Sequence, residues 1–185
     1  MEKQSNSLFK SALTYGSMIG MGLIIYSVLL YILDLSGNKA LGYISFLIIA
    51  VGLFFSMKAY RDNVQNGIMT YGRGLGIGTL TLLISAIISS IYVYVFFKFI
   101  DPGAVEQLLV AAEENMIAQG RLSDAQIEAS MNITRKMMTP VFLTISGFFN
   151  NMLFGFIFVL IISAFTKKEG DPYQAAMQEI EEDEA

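Results

Sequence analysis

Four long runs of uncharged, mostly apolar residues divide the chain, at positions 11–33, 40–57, 75–97 and 141–165. As a helix, the shortest run reaches ~27 Å at ~1.5 Å per residue, close to the ~30 Å of a bilayer's hydrocarbon core. The first run is longer than a signal-peptide core, and the Asp-Leu-Ser-Gly that follows it is a poor cleavage site. The pattern predicts an all-α polytopic membrane protein with four retained transmembrane helices packed into one bundle.

The polar segment 101–139, between the third and fourth runs, carries the marks of two amphipathic helices. Asp101-Pro102 resembles an N-cap followed by proline at the first helical position. Gly120 fits a helix stop, and Ser123 with Gln126 three residues later fits a capping box. We therefore expect an extracytoplasmic helical hairpin, whose apolar stripes are Val105, Leu108, Leu109, Ala112 and Met116 on one helix and Ile127, Met131, Thr134 and Met138 on the other.

The placement of Lys and Arg predicts the orientation of the chain. Seven of them lie in the N-terminal lead, the segment 58–74 and the C-terminal segment, whereas five lie in the turn 34–39 and the long segment 98–140. Most of these five lie in the segment 98–140, which is about twice as long as the segment 58–74, so their charges are more widely spread. We therefore expect a multi-pass protein of the cell (inner) membrane whose N and C termini both lie in the cytoplasm. The residues 1–168 would form the membrane domain, and the residues 169–185 an acidic cytoplasmic tail with a narrow apolar stripe.

Composition changes this interpretation mainly by what it excludes. The chain has no Cys and no His, so it lacks thiolate nucleophiles, zinc ribbons and the usual general base near neutral pH. None of the four runs contains Asp, Glu, Lys or Arg, which argues against proton coupling. We expect no enzymatic activity, no cofactor, no metal site and no nucleic-acid partner. The four carboxylates of the hairpin are interpreted as solvated: Glu113, Glu114, Asp124 and Glu128.

The stretch YRDNVQNGIMTYGRGLGIG, residues 60–78, joins the second and third runs. Its alternating glycines lack the strand-before, helix-after context of a phosphate-binding loop. Gly74 and Gly78 share one helix face, where small residues let membrane helices approach closely. We interpret the stretch as a membrane-interface segment. Arg61 and Arg73 are candidates for contact with lipid or an anion, although topology-setting basic residues are the favoured interpretation.

Two features inside the runs concern helix packing. Gly16 and Gly20 form a GxxxG motif, which we expect to pack within the chain. Asn150 and Asn151 lie in the fourth run, and a buried amide in hydrocarbon is costly unless it is paired. We favour hydrogen bonds between helices, with the serines of the third run as partners, over a polar cavity lining. The candidate set is therefore Asn150, Asn151, Ser85 and Ser89.

Together, these features resemble a bacterial integral membrane family known as domain of unknown function 4199. The resemblance rests on the chain size, the four runs, Tyr60-Arg61 after the second run, the glycines from Gly67 to Gly78, and the acidic helical insert. It covers about residues 8–166. It implies a four-helix inner-membrane protein with no assigned activity, and it supplies no site residues.

The leading functional hypothesis is a non-enzymatic assembly or interaction protein whose partners are the lipid bilayer and either a second copy or another membrane protein. The alternative is an oligomeric channel or transporter for a small solute, lined by Asn150 and Asn151 with serines of the third run. An enzyme that acts on lipid ranks last, because the sequence offers no triad and no buried carboxylate pair.

Overall fold

The structure is a computed structural model, and it describes residues 2–168. Within these residues the chain forms six α-helices, and a short π-helical segment, Phe96–Ile100, continues the third. The helices are α1 Glu2–Ile32, α2 Lys39–Val64, α3 Tyr71–Val95, α4 Ala104–Gln119, α5 Asp124–Met137 and α6 Pro140–Thr166. The predicted tail, residues 169–185, lies outside the described residues.

Four of the helices are long and apolar enough to cross a membrane. The apolar segments are Ser7–Ile32, Ala40–Val64, Tyr71–Ile100 and Pro140–Thr166, of 26, 25, 30 and 27 residues. The predictions of an all-helical fold and of four membrane-length helices are confirmed. The protein is therefore a multi-pass membrane protein by the length and composition of its helices.

The membrane-length helices extend beyond the uncharged runs that predicted them. Helix α2 continues to Val64 and so includes Lys58 and Arg61, and α3 already begins at Tyr71. Only residues 65–70 lie between the two helices. The location of the stretch 60–78 at the membrane interface stays a prediction. A run of uncharged residues marks the part of a helix that lies in hydrocarbon, whereas the helix itself continues for as long as polar side chains can reach the headgroup region.

The contacts divide the chain into two compact units, and helices α3 and α6 contribute to both. The described part of the first unit consists of residues 2–85 and 153–168, and the second unit consists of Ala86–Met152. The first unit contains α1, α2 and parts of α3 and α6. The second contains α4, α5 and the remaining parts of α3 and α6.

Glycines allow the helices of the first unit to approach closely. A Cβ on Gly16 would lie 2.8 Å from both the Ile84 Cβ and the Thr81 carbonyl oxygen, so α1 contacts α3 backbone to backbone. Both glycines of the predicted GxxxG motif are buried within the chain. Gly74 faces Ser163, and Gly78 faces Val159, both on α6. The predicted packing role of these glycines matches where the structure places them.

The second unit has a small core of its own between α4 and α5. The buried side chains Leu109, Ile127 and Met131 form it, and Val105, Met116 and Met138 pack against it. The predicted capping box of Ser123 and Gln126 is present, and Gly120 ends α4 in the left-handed region with φ 61°. Helices α4 and α5 therefore pack together as predicted, and their location outside the cytoplasm stays a prediction.

The start of α4 differs from the prediction at Asp101-Pro102. The helix begins at Ala104, and Pro102 lies in the preceding turn rather than at the first helical position. The Asp101 carboxylate still accepts a hydrogen bond from the Ala104 backbone N–H, at 3.0 Å. The prediction that the Asp101 side chain caps the helix is correct, but the helix begins three residues after Asp101 rather than one.

Candidate functional site

The stretch 60–78 forms a tight turn between two helix ends rather than a ligand loop. Asn66 and Gly67 adopt positive φ angles of 50° and 84°, which reverse the chain after α2. The Gly67 N–H donates to the Arg61 carbonyl oxygen at 2.9 Å and so closes the end of the helix. Asn and Gly are the residues that tolerate this backbone region best.

Arg61 joins this turn to the end of α6. Its Nε donates to the Asp62 carboxylate at 2.7 Å, and its Nη1 donates to the Thr166 carbonyl oxygen at 3.3 Å. The last carbonyls of a helix have no partner within the helix and carry the negative end of its dipole. The Arg61 side chain therefore stabilises the C-terminal end of α6, a role that its position in the sequence does not reveal.

Arg73 takes part in a second chain of contacts at the same turn. Its Nη1 donates to the Gln65 Oε1 at 2.9 Å, and the Gln65 Nε2 donates to the Tyr60 hydroxyl at 3.3 Å. Tyr60 is almost completely buried. A backbone bridge adds to these contacts, because the N–H groups of Met69 and Lys168 each donate to the other's carbonyl oxygen at 2.9 Å.

We call Tyr60, Arg61, Gln65, Met69, Arg73, Thr166 and Lys168 the turn cluster. Its contacts fasten the α2–α3 turn to the residues that end and follow α6. Both guanidinium groups donate hydrogen bonds to protein atoms. The cluster thus supplies fixed positive charge and rigidity. The contact of Arg61 or Arg73 with lipid or an anion stays a prediction.

The interior of the first unit contains a polar pair that sequence reasoning missed. The hydroxyl groups of Ser56 and Thr81 are fully buried and hydrogen-bonded to each other at 2.9 Å. The hydroxyls of Ser163 and Thr166 both lie 3.6 Å from the Met57 sulfur. These contacts join α2 to α3 and to α6. The sequence signal that could have found the pair is a polar residue within each of two predicted spans, Ser56 in the second and Thr81 in the third.

The predicted polar residues of α3 and α6 are placed differently from one another. Ser85 is buried, and its hydroxyl donates to the Leu82 carbonyl oxygen at 2.9 Å. Asn150 is exposed. Ser89 Oγ and Asn151 Oδ1 are each buried with no hydrogen-bond partner among residues 2–168. The described residues thus contain no hydrogen bond between Asn151 and Ser89, and the role of these four residues stays a prediction.

The carboxylates of the hairpin lie mostly in one shallow pocket. Glu113, Asp124 and Glu128 line a space of about 360 Å³, which the side chains of Asn132 and Arg135 also line. Within residues 2–168, no group of three or more His, Cys, Asp or Glu side chains is placed to hold a metal ion. The Arg135 guanidinium supplies a positive charge at the same pocket.

A family model described as "Protein of unknown function (DUF4199)" matches residues 14–168. The chain belongs to this family. The DUF4199 match covers all of α2 to α6 and most of α1, so it includes the hairpin and the turn cluster. It ends at Lys168, where the backbone bridge lies, and it leaves the acidic tail outside. The resemblance predicted from the sequence is confirmed, and the family's description assigns no activity.

Comparison with other proteins adds nothing more specific. Neither the curated proteins nor the solved structures include a match to this chain. The function of this DUF4199 protein therefore has to be argued from its own side chains, and its exposed surfaces carry the most information.

Proposed function

We propose that this DUF4199 protein is a non-enzymatic inner-membrane protein that assembles with a second copy of itself or with another membrane protein through its α4–α5 hairpin. In this proposal the hairpin lies outside the cytoplasm. Both chain ends and the turn cluster lie in the cytoplasm.

The order of the membrane-length helices supports the proposed arrangement. Each crossing moves the chain to the opposite side, so the start of α1, the α2–α3 turn and the end of α6 share one side. The hairpin between α3 and α6 lies on the other side. Lys and Arg concentrate near the span ends of the first side, which favours the cytoplasm for that side.

The observation that carries the proposal is the apolar surface left over on the hairpin. The hairpin's core is already filled by Leu109, Ile127 and Met131. Even so, Ile117 is 59% exposed on α4, and Ile133 is 62% and Met137 47% exposed on α5. Ile133 and Met137 are one helical turn apart and therefore form one patch. Apolar surface outside the hydrocarbon region that is not needed for the core is typical of an interaction surface.

The test is the mass of the detergent-purified complex and the membrane proteins that copurify with it. We expect the wild-type particle to contain more than one polypeptide. The variant Ile133→Glu places a charge in the patch, so it should release a single 20.5 kDa chain. Asn132→Glu is the matched control, because it adds the same charge at the neighbouring exposed position and should leave the complex intact.

Two outcomes would contradict the proposal. One is a wild-type protein that is already a single chain with no copurifying membrane protein. The other is an Ile133→Glu particle with the composition of the wild type, which would mean that the patch rests on the membrane surface instead.

A second candidate, a passive path for a small solute, is favoured by one observation. Ser89 Oγ and Asn151 Oδ1 are buried without partners in the second unit, and such groups are costly in a dry helix bundle. Solute flux through proteoliposomes distinguishes the candidates. Flux that is lost in Asn151→Leu, with the helix content unchanged, would replace the assembly proposal by this one.

A further inference from the structure

A long groove runs along the first unit between α1 and α2. It has a volume of about 720 Å³ and is lined mostly by apolar side chains. Several of its walls face outward, since Met18 is 63%, Leu47 62% and Phe55 55% exposed. The groove is therefore open along its side to the surroundings of the helices, which for membrane-length helices is lipid.

The packing of α1 against α2 explains why the groove forms. Ile19 is buried against Gly52, where any side chain would collide with it. The two helices are in close contact at this point. Small or absent side chains at Gly52 and Ala59 leave space beside this contact, and both residues line the groove.

The groove has one charged end. Val51, Phe55, Lys58 and Asp62 follow one another at spacings of four, three and four residues, so they form one stripe on α2. The stripe changes from apolar to charged at Lys58. Asn63 adds an amide at the same end.

The length of the apolar part matches one leaflet of a bilayer. Leu47 and Lys58 are eleven residues apart on a continuous helix, which corresponds to ~16 Å at ~1.5 Å per residue. Half of the hydrocarbon core of a bilayer is about 15 Å thick. An acyl chain that starts at the level of Lys58 would therefore extend along the whole apolar wall.

The charges at the mouth favour an anion. Among residues 2–168, no hydrogen bond and no ion pair within 4.0 Å engages the Lys58 ammonium group, although its charge acts on the Asp62 carboxylate from a greater distance. Lys58 is exposed. The nearby Asp62 carboxylate is already paired with the Arg61 Nε at 2.7 Å. Lys58, Arg61 and Asp62 together carry one net positive charge. A phosphate at Lys58 would balance it, and headgroup hydroxyls could donate to Asp62 and Asn63.

We infer that the α1–α2 groove is a specific site for an anionic phospholipid, with one acyl chain along Leu47, Val51 and Phe55 and the phosphate on Lys58. This site is separate from the hairpin patch, and it does not depend on which side of the membrane is the cytoplasm. It also differs from the lipid contact predicted for Arg61 and Arg73, because its phosphate ligand is Lys58.

The absence of tryptophan in the chain allows a direct test. A single reporter, Phe55→Trp, lies in the groove, and Phe165→Trp on α6 is the matched reporter outside it, because Phe165 is 80% exposed and does not line the groove. Each full-length variant is reconstituted in phosphatidylcholine vesicles. Quenching is then measured as brominated phosphatidylglycerol or brominated phosphatidylcholine is added at equal mole fractions.

We expect brominated phosphatidylglycerol to bind at the Phe55→Trp reporter about fivefold more strongly than brominated phosphatidylcholine, the effect of one basic residue at a membrane surface. Adding Lys58→Gln should remove this preference. Adding Lys10→Gln, which deletes a basic residue that does not line the groove, should leave it unchanged. The Phe165→Trp reporter should show no preference above that of the surrounding lipid.

Three results would overturn the inference. Equal quenching by both lipids at the Phe55→Trp reporter would show ordinary lipid contact. A preference that survives Lys58→Gln would mean that another group binds the phosphate. A reporter that neither lipid quenches would show that protein, either the acidic tail or a second copy, fills the groove. Failure of this test leaves the hairpin proposal untouched, because that proposal rests on a different surface.

Discussion

The two units of the protein bury polar groups in opposite ways. In the first unit, Ser56 and Thr81 are fully buried and bond to each other, and the Ser163 hydroxyl meets the Met57 sulfur. In the second unit, Ser89 Oγ and Asn151 Oδ1 are buried without partners. The buried hydroxyl groups named in the first unit therefore have partners within the protein. The second unit contains two buried polar atoms without such partners, and another molecule could supply them.

The apolar side chains show the same contrast. The first unit places glycines where helices touch, as at Gly16 against Ile84 and Gly78 against Val159. At Gly147, on the part of α6 in the second unit, no described atom other than those of its chain neighbours and its own helix backbone lies within 4 Å of the position that a Cβ would take. Contacts shorter than 3.0 Å to such a Cβ lie at Gly16, Gly52, Gly78 and Gly155 of the first unit, whereas Gly42, Gly72 and Gly76 of the same unit face open space as Gly147 does. We therefore expect stability to depend mainly on the close helix contacts of the first unit.

The largest expected difference between the units is in their response to Gly→Ala substitutions. Gly16→Ala should lower the free energy of unfolding by about 1–3 kcal/mol, because the new methyl group meets backbone and Cβ atoms that cannot rotate away. Gly147→Ala should leave stability unchanged or raise it by up to about 1 kcal/mol through helix propensity. Unfolding each variant in mixed micelles measures both changes in the free energy of unfolding.

Equal losses in the two variants would break the contrast. If Gly147→Ala were as damaging as Gly16→Ala, α6 would have to be covered closely at Gly147 in the assembled protein, and the open surface of the second unit would be an interface.

A smaller difference is expected for two serines. Ser56→Ala leaves the buried Thr81 hydroxyl without its partner, and it should cost about 0.6–1.7 kcal/mol, the range measured for hydrogen bonds between membrane helices. Ser89→Ala removes a hydroxyl that has no hydrogen-bond partner among residues 2–168, so it should cost nothing or stabilise slightly. The same unfolding assay compares them. A clear loss in Ser89→Ala would reveal a bond that forms only in the assembled protein.

The sequence was informative wherever one local pattern decides the structure. Long uncharged runs predicted the four membrane-length helices, and Ser123 with Gln126 predicted the start of α5, because capping depends on residues three positions apart. Boundaries were less accurate where charge was taken as the end of a helix. Helix α2 continues past Lys58 to Val64, since its polar side chains can reach the headgroup region.

The contacts between distant residues could not be predicted. The bond from Arg61 to the Thr166 carbonyl oxygen joins residues 105 positions apart, and nothing local to Arg61 points to α6. The groove depends on the contact of Ile19 with Gly52, which neither helix specifies alone. The stripe from Val51 to Asp62 was visible in the sequence, but the wall that α1 supplies was not.

The most direct test concerns the proposal that the chain crosses the membrane four times with both ends in the cytoplasm. The chain has no cysteine, so single thiols can be introduced at two small exposed residues, Gly72→Cys beside the α2–α3 turn and Ala118→Cys on α4. A membrane-impermeant maleimide is then applied to intact cells, and again after permeabilisation. We predict that position 118 is labelled in both cases and position 72 only after permeabilisation. Labelling of position 72 in intact cells, or protection of position 118, would contradict it.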